Sequence, residues 1–432
     1  MSPDVAGIVG IFVLLFLLSL RMWIGFALAL VGFLGFAFIG GIKGALGVLA
    51  TVPYTTVSSY NMTVIPLFLF MGTITSTGGI SGDLYDTGYK WLGHLRGGLA
   101  IATIAACAGF AAICGSSMAT SGTMGRVALP EMRKYRYDPQ LASGCVASGA
   151  TLGILIPPSL GFILYAILTE ESVGLLFMAG IVPGLLMAVL FAMTIALMTK
   201  HNPHLGPRGP KTTFSEKISS LKRTWAMLCL FCLVMGGIYL GVFTPNEAGA
   251  IGAFGAIVIT ALAGRLTRQS FVRALLDTGQ ITAMILFLII GAMIFMNFMA
   301  ISKLPFMLAN FMNGISLSKY FILAIIILAY GVIGMFLDVM AAQILTIPII
   351  FPSVLAMGFD PIWFGVIIVI TQEMGLITPP FGMNVFILGG VSQIPIATIF
   401  RGVVPFVMAM LACIVIITVF PQMALWIPSM MK

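Results

Sequence analysis

Two stretches decide how this chain folds: Gly153-Ile-Leu-Ile-Pro-Pro-Ser159 and Gly375-Leu-Ile-Thr-Pro-Pro-Phe-Gly382. Each interrupts a long apolar run with adjacent prolines. A proline has no N–H, and it drives the preceding residue out of the helical region. Carbonyls one turn earlier therefore lose their helical partners. In hydrocarbon no solvent replaces those partners, so unwound backbone is confined to places where it faces protein or a polar cavity. What the prolines mean depends on whether the surrounding runs cross a membrane.

Composition says that they do. The 432 residues are 60% hydrophobic and only 8% charged, with a mean hydropathy of +1.13. A soluble domain carries about 25% charge. A soluble enzyme, a disordered chain and a nucleic-acid binder are excluded. The runs are continuous rather than alternating, which argues against an outer-membrane barrel. The expected class is an all-α polytopic membrane protein. At about 20 residues per crossing, ten spans are predicted over 5–20, 22–41, 60–79, 140–170, 172–199, 225–243, 247–264, 279–300, 361–389 and 396–427. Both Pro-Pro stretches fall inside such spans. Segments 44–59 and 83–95 are too polar or too short to cross and are expected along the interface.

Stretches 97–130 and 320–352 are apolar but interrupted, the first at Gly115-Ser-Ser117 and Thr120-Ser-Gly-Thr123, the second at Asp338 and Ala341-Ala-Gln343. Charge decides whether they cross. If each enters and leaves on one side, 17 of the 21 Lys and Arg fall on one face, from Arg21 to Arg401, and only Lys43, Lys303, Lys319 and Lys432 on the other. That is a strong positive-inside signal, and a single crossing by 97–130 would destroy it. Both stretches are therefore predicted to be re-entrant hairpins, with both termini outside and the basic loop at the cytoplasm. Met1-Ser-Pro-Asp4 lacks a basic signal-peptide region, so the first run is expected to be a retained span.

A shift of 222 residues relates the two halves. Pro130, Pro139, Pro157-Pro158 and Pro183 meet Pro352, Pro361, Pro379-Pro380 and Pro405. Five of the eleven prolines before residue 211 match in this way, where chance gives about 0.5. Repeat one is assigned to 1–199, a linker with a surface helix to 200–224, and repeat two to 225–432. Five spans and one hairpin per half make the crossings odd, so the repeats are inverted, with hairpins entering from opposite faces.

Several residues then carry chemistry. Carbonyls freed by Pro157 and Pro379, with Ser159, Thr378 and Asn384, are hard oxygen ligands suited to Na+; a plain proline kink is the bland alternative. Ser116, Ser117, Thr120, Ser121 and Thr123 crowd one hairpin tip, as a site or as small-residue packing. Asp338 and Gln343 mark the other tip, and Asp338 is a functional acid or a local cap. Glu373 has four readings: a partner for a cationic residue, a proton acceptor, an interfacial residue or a direct ion ligand. Hairpin N–H groups favour an anion such as a carboxylate, with Arg126 either assisting or anchoring the cytoplasmic side. No P-loop, HExxH or GxSxG occurs, so neither ATP hydrolysis nor proteolysis is expected of this chain. The six cysteines, including Cys229-Leu-Phe-Cys232, read as apolar packing residues rather than metal ligands or disulfides.

Cys114-Gly-Ser-Ser-Met-Ala-Thr120, both Pro-Pro segments through Asn384, Phe243-Thr-Pro-Asn-Glu-Ala-Gly249 and Leu337-Asp338 resemble the large membrane subunit of tripartite ATP-independent periplasmic (TRAP) transporters over nearly the whole chain. The resemblance implies an elevator-type, Na+-coupled importer in the bacterial inner membrane. It implies a periplasmic binding protein that delivers an organic acid and a small four-helix membrane subunit, here a separate chain. It implies one Na+ site around Ser116, Ser117, Gly153, Pro157 and Ser159, and a second around Asp338, Gln343, Gly375, Thr378, Pro379 and Asn384. Substrate is expected between the tips, near Ser116, Ser117, Thr120, Asp338 and Asn384. The competing readings are a stand-alone Na+/dicarboxylate symporter or ion antiporter of the same architecture, and a channel or membrane scaffold. A passive pore needs no mirrored broken helices.

Overall fold

A computed structural model describes residues 2–209, 212–314 and 317–431. Lys211 and Lys432, counted in the charge split, lie outside the described residues, as does Pro210 of the linker. All regular structure among the described residues is helical. Among the described residues six helices, including both arms of the second interrupted stretch, Lys319–Phe336 and Val339–Ala356, are by length and composition able to cross a bilayer, and up to nine candidate spans result when three bent pairs are each taken as one. Expected spans 5–20 and 22–41 are Pro3–Ser19 and Ile24–Gly40, 17 residues each, at the lower limit for a crossing. Run 279–300 is the centre of a longer helix, Arg268–Ser302. Run 396–427 divides into Ile396–Val419 and Gln422–Met430. The expected interfacial segments are helical as well: Ile42–Val57 bends by 54° into Tyr60–Thr77, and Ile80–Leu92 packs on Gly98–Cys114.

Both interrupted stretches are helical hairpins, and their ends show it. The arms of hairpin one are Gly98–Cys114 and Ser117–Lys134. Gly97 donates its N–H to the carbonyl of Gly206 at 2.9 Å, and Asp138 to that of Leu205 at 3.0 Å. Entry and exit therefore meet adjacent linker residues, Gly206 and Leu205, which a single crossing would forbid. Hairpin two has arms Lys319–Phe336 and Val339–Ala356. Its ends meet where the Lys319 ammonium stands 5.1 Å from the Phe359 ring. The sequence reading placed second breaks at Thr120–Thr123 and Ala341–Gln343; both segments are helical instead. Their polar side chains point into protein, and Thr120 returns its hydroxyl to the Ser116 carbonyl at 2.7 Å, so the helix continues through them.

The linker 200–209 is pinned to the turns around it: Tyr137 donates its hydroxyl to the Pro207 carbonyl at 2.9 Å, and Gly209 its N–H to Gly93 at 2.9 Å. The expected surface helix after it, Phe214–Lys222, opens on a Thr213–Glu216 capping box and bends by 53° into the next span, Thr224–Tyr239. His201 and His204 are exposed. Cys107, Cys145 and Cys413 are buried as expected, whereas Cys229 and Cys232 are exposed on the outer face of Phe214–Tyr239. There they meet the surroundings rather than pack within the protein.

Candidate functional site

Break one follows from its prolines. Helix Pro139–Ala150 continues through Leu152–Leu155, then Ile156 is extended and Pro157-Pro158 is a cis peptide. The carbonyls of Gly153 and Ile154 stand four residues before the two prolines and have no helical donor. Ser159 restarts the helix as the cap of Leu160–Thr169, its hydroxyl accepting from Phe162 N–H at 3.2 Å. Against this break lies the tip of hairpin one. Gly115 has φ +62°, and a Cβ there would stand 2.8 Å from the Pro158 carbonyl oxygen. Only glycine takes this turn at this distance. A Cβ on Gly153 would meet the Ser116 carbonyl oxygen at 2.8 Å and the Thr120 hydroxyl at 2.9 Å. Ser116, Thr120 and Gly153 are thus brought together, and Gly115 closes on Pro158 next to Ser159.

Break two is resolved differently. Helix Pro361–Gly375 stops, Pro379-Pro380 is again cis, and Met383–Ser392 restarts. Two carbonyls that the prolines strand find other donors: Thr378 N–H bonds to Gly375 at 3.0 Å, and Asn384 N–H reaches back to Leu376 at 3.1 Å. The Thr378 hydroxyl is committed to the Met374 carbonyl at 2.6 Å, and Pro379 is exposed. Asn384 is fully buried, and its side-chain amide makes no hydrogen bond among the described residues. Gly375 touches the backbone of Gly334 in hairpin two, a small-residue crossing of the kind that lets transmembrane helices approach.

Hairpin two supplies its expected residues. Asp338, half-buried, caps Val339–Ala356 by accepting from Ala341 N–H at 3.2 Å. The capping role is therefore present, and Asp338 occupies the position 222 residues after Ser116, which caps Ser117–Lys134 in the same way. Gln343 is fully buried and donates to Gln372 Oε1 at 3.2 Å. Tyr330 and Thr346 share a 2.7 Å hydrogen bond across the arms. The halves also meet: the Ser121 hydroxyl of hairpin one donates to the Asn384 carbonyl at 3.1 Å, and Gln343 lies beside Gly161 of the first broken helix.

The structure narrows the readings of Glu373. It is fully buried within the protein, and no ion pair among the described residues includes it, so pairing with a cationic residue is not seen. Arg126 is elsewhere: with Arg133 and Lys134 it lines a cavity of about 980 Å³ between hairpin one and residues 391–398. Gln372 was missed by the sequence reading, although a polar residue inside an apolar run is itself a signal. The Phe243–Gly249 motif is architectural. Thr244 and Glu247 form a capping box, and Asn246 donates to the Tyr60 carbonyl at 2.5 Å and the Thr63 hydroxyl at 2.9 Å.

A family model described as "Tripartite ATP-independent periplasmic transporter, DctM component" matches residues 11–423. The chain belongs to the DctM family. It is 35% identical over 400 residues to the C4-dicarboxylate TRAP transporter large permease protein DctM of Pseudomonas aeruginosa, covering 90% of this chain and 93% of that one. It is 30% identical to the sialic acid TRAP transporter large permease protein SiaM of Vibrio cholerae, covering 87% of each. The isethionate TRAP transporter permease protein DctMQ of Oleidesulfovibrio alaskensis is 35% identical over 87% of this chain and 59% of its own length. Among solved structures, the YdaH transporter of Alcanivorax borkumensis superposes with a TM-score of 0.66 at 15% identity, covering 89% of both chains. That likeness is one of fold. This DctM-family chain is accordingly a multi-pass membrane transport permease.

Proposed function

We propose that the chain is the transport subunit of a Na+-coupled importer of an organic acid in the bacterial inner membrane, with both termini periplasmic. Repeats 1–199 and 225–432 are inverted about the linker 200–224. One Na+ is held around Ser116, Ser117, Gly153, Pro157 and Ser159, and another around Asp338, Gln343, Gly375, Thr378, Pro379 and Asn384. The substrate lies between the tips, near Ser116, Ser117, Thr120, Asp338 and Asn384. The single observation that carries this reading is the convergence of two capped hairpin tips on two proline-broken helices, with Ser121 joined to Asn384 across the repeats. Freed carbonyls and hydroxyls make hard cation ligands, while the N-termini at Ser117 and Val339 point N–H groups and positive dipole ends at an anion. Binding both together keeps the net charge in the bilayer low. Relatives named for C4-dicarboxylates, sialic acid and isethionate support a charged organic substrate.

In this reading a periplasmic binding protein delivers the substrate, a separate small four-helix subunit braces the scaffold, and transport is an elevator motion without ATP. The test is uptake into proteoliposomes holding the chain and its small subunit, with candidate organic acids, a Na+ gradient and purified binding protein. Uptake is expected only with all three. Equal uptake of free substrate would return the stand-alone symporter, and large uncoupled conductance would return a channel.

A further inference from the structure

We infer that Arg265 and Asp83 are positioning residues for transport: their ion pair latches the joint between helices Val64–Thr77 and Ile80–Leu92 and holds hairpin one and its break under cover. This deepens the proposed transport reading and rests on the motion proposed there, but both residues lie outside the proposed Na+ and substrate sites.

Of the ion pairs among the described residues, Lys90–Asp86 and Lys134–Glu131 each lie within one helical turn. Arg265–Asp83 alone joins separate elements, 182 positions apart. The guanidinium donates to both carboxylate oxygens of Asp83, Nη1 to Oδ2 and Nη2 to Oδ1 at 3.3 Å, and Nη1 also reaches the Gly78 carbonyl at 3.1 Å. Gly78 ends one helix and Asp83 lies in the first turn of the next, so one side chain grips both sides of Gly78-Gly79. The chain turns there at Gly79, φ +72°, where a side chain would be strained. Arg265 is presented from a fixed point. Its N–H bonds to the Thr260 carbonyl at 3.1 Å just beyond Gly264, φ +69°, which closes the end of Pro245–Leu262. A two-pronged guanidinium–carboxylate pair fixes an angle as well as a distance.

The two helices of the joint meet again at break one. Phe68 and Leu69 of Val64–Thr77 line one narrow gap with Gly115 of the tip and with Pro158 and Leu160 of the break. Ile80–Leu92 packs on both arms of hairpin one, and a Cβ on Gly88 would stand 3.0 Å from the Ala102 carbonyl oxygen. The angle at the joint therefore sets how hairpin one and its break lie against Val64–Thr77. Repeat two carries no such latch. The residue 222 positions before Arg265 is Lys43, exposed and in no ion pair among the described residues, and the residue 222 after Asp83 is Pro305. The corresponding joint turns at Lys303, φ +59°, which forms no ion pair among the described residues either.

The experiment uses the full chain in nanodiscs, without its native cysteines and with Leu160→Cys as reporter. Leu160 is buried at the covered face, so its thiol is expected to react slowly. Asp83→Asn and Arg265→Gln are each expected to speed labelling about three- to tenfold, as the covered conformation loses population, and exchanging the charges with Asp83→Arg and Arg265→Asp to slow it again. Arg265→Lys, which keeps the charge without the fork, is expected in between and supplies the readout if the glutamine variant does not fold. Lys43→Gln is expected to label as wild type, and an equal rise there would overturn the inference. A purely structural contact would lower the melting temperature and leave the labelling rate unchanged. That result in the latch variants, with wild-type labelling that responds to Na+ and substrate, overturns this inference alone. Wild-type labelling that responds to neither would overturn it together with the proposed function.

Discussion

The two Pro-Pro breaks begin from nearly the same sequence and end in different surroundings. Residues 141–166, which contain break one, are buried without exception. The tip of hairpin one closes against the break through Gly115 and Gly153, with Gly180 packed behind it on Leu155 and Phe162. At break two, Pro379, Pro380 and Phe381 are exposed. Aromatic cover there comes from the Phe336–Phe381 pair, with centroids 5.2 Å apart, and from the Phe400 ring against Gly382. The repeat supplies two equivalent devices, and one conformation of the molecule treats them unequally. Mirrored sites that are both shut admit nothing and both open leak, so unequal enclosure is what alternating access about a repeat axis requires.

The comparison can be broken most directly by labelling. In a background without the six native cysteines, Phe381→Cys is expected to react rapidly with a small thiol reagent and Ser159→Cys not measurably, since a buried thiol is inert. Equal rates would remove the asymmetry. Next in size is Gly153→Ala. Its Cβ would stand 2.8 Å from the Ser116 carbonyl, and overpacking of about 1–3 kcal/mol corresponds to a loss of about 5- to 150-fold in the population of the sealed tip. Uptake assays report it, and wild-type transport would show that the tip does not seal there.

Asp338 and Ser116 sharpen the comparison between hairpins. Loss of either cap in Asp338→Ala or Ser116→Ala costs about 0.5–2 kcal/mol, and Na+-dependent uptake is expected to fall more than expression. Asp338→Asn keeps a capping oxygen. If it restores melting temperature but not the Na+ dependence, Asp338 acts as more than a cap; full rescue of both would leave it a cap alone. The smallest effect is expected at Tyr330→Phe, which removes the hydroxyl bonded to Thr346 across hairpin two. About 1 kcal/mol of stability should be lost, visible in thermal melting with little change in uptake.

Much of the architecture was legible. The hairpins were read from the placement of basic residues, because moving charge across a bilayer is costly enough to fix loop sides, and the contact of residues 97 and 138 with one linker segment agrees with it. The breaks were read from missing N–H groups. The extra interruptions expected at Thr120–Thr123 and Ala341–Gln343 failed because hydroxyl and amide side chains do not end a helix when they bond backward or into protein. The Phe243–Gly249 segment, quoted only for its resemblance, is a cap and a tether; local sequence signals a strong cap without telling what the cap is for.

Hydropathy, charge bias and proline chemistry act over one helix or one loop, and for that reason the amino-acid sequence alone determined an all-helical membrane chain with two re-entrant hairpins and two broken helices. Which polar groups meet was decided only in three dimensions. Ser121 and Asn384, like Gln343 and Gln372, share no periodicity, and the first pair is more than 250 residues apart. Their proximity comes from packing one repeat into the other, where satisfying buried charge and closing backbones at small residues select partners that no local pattern names.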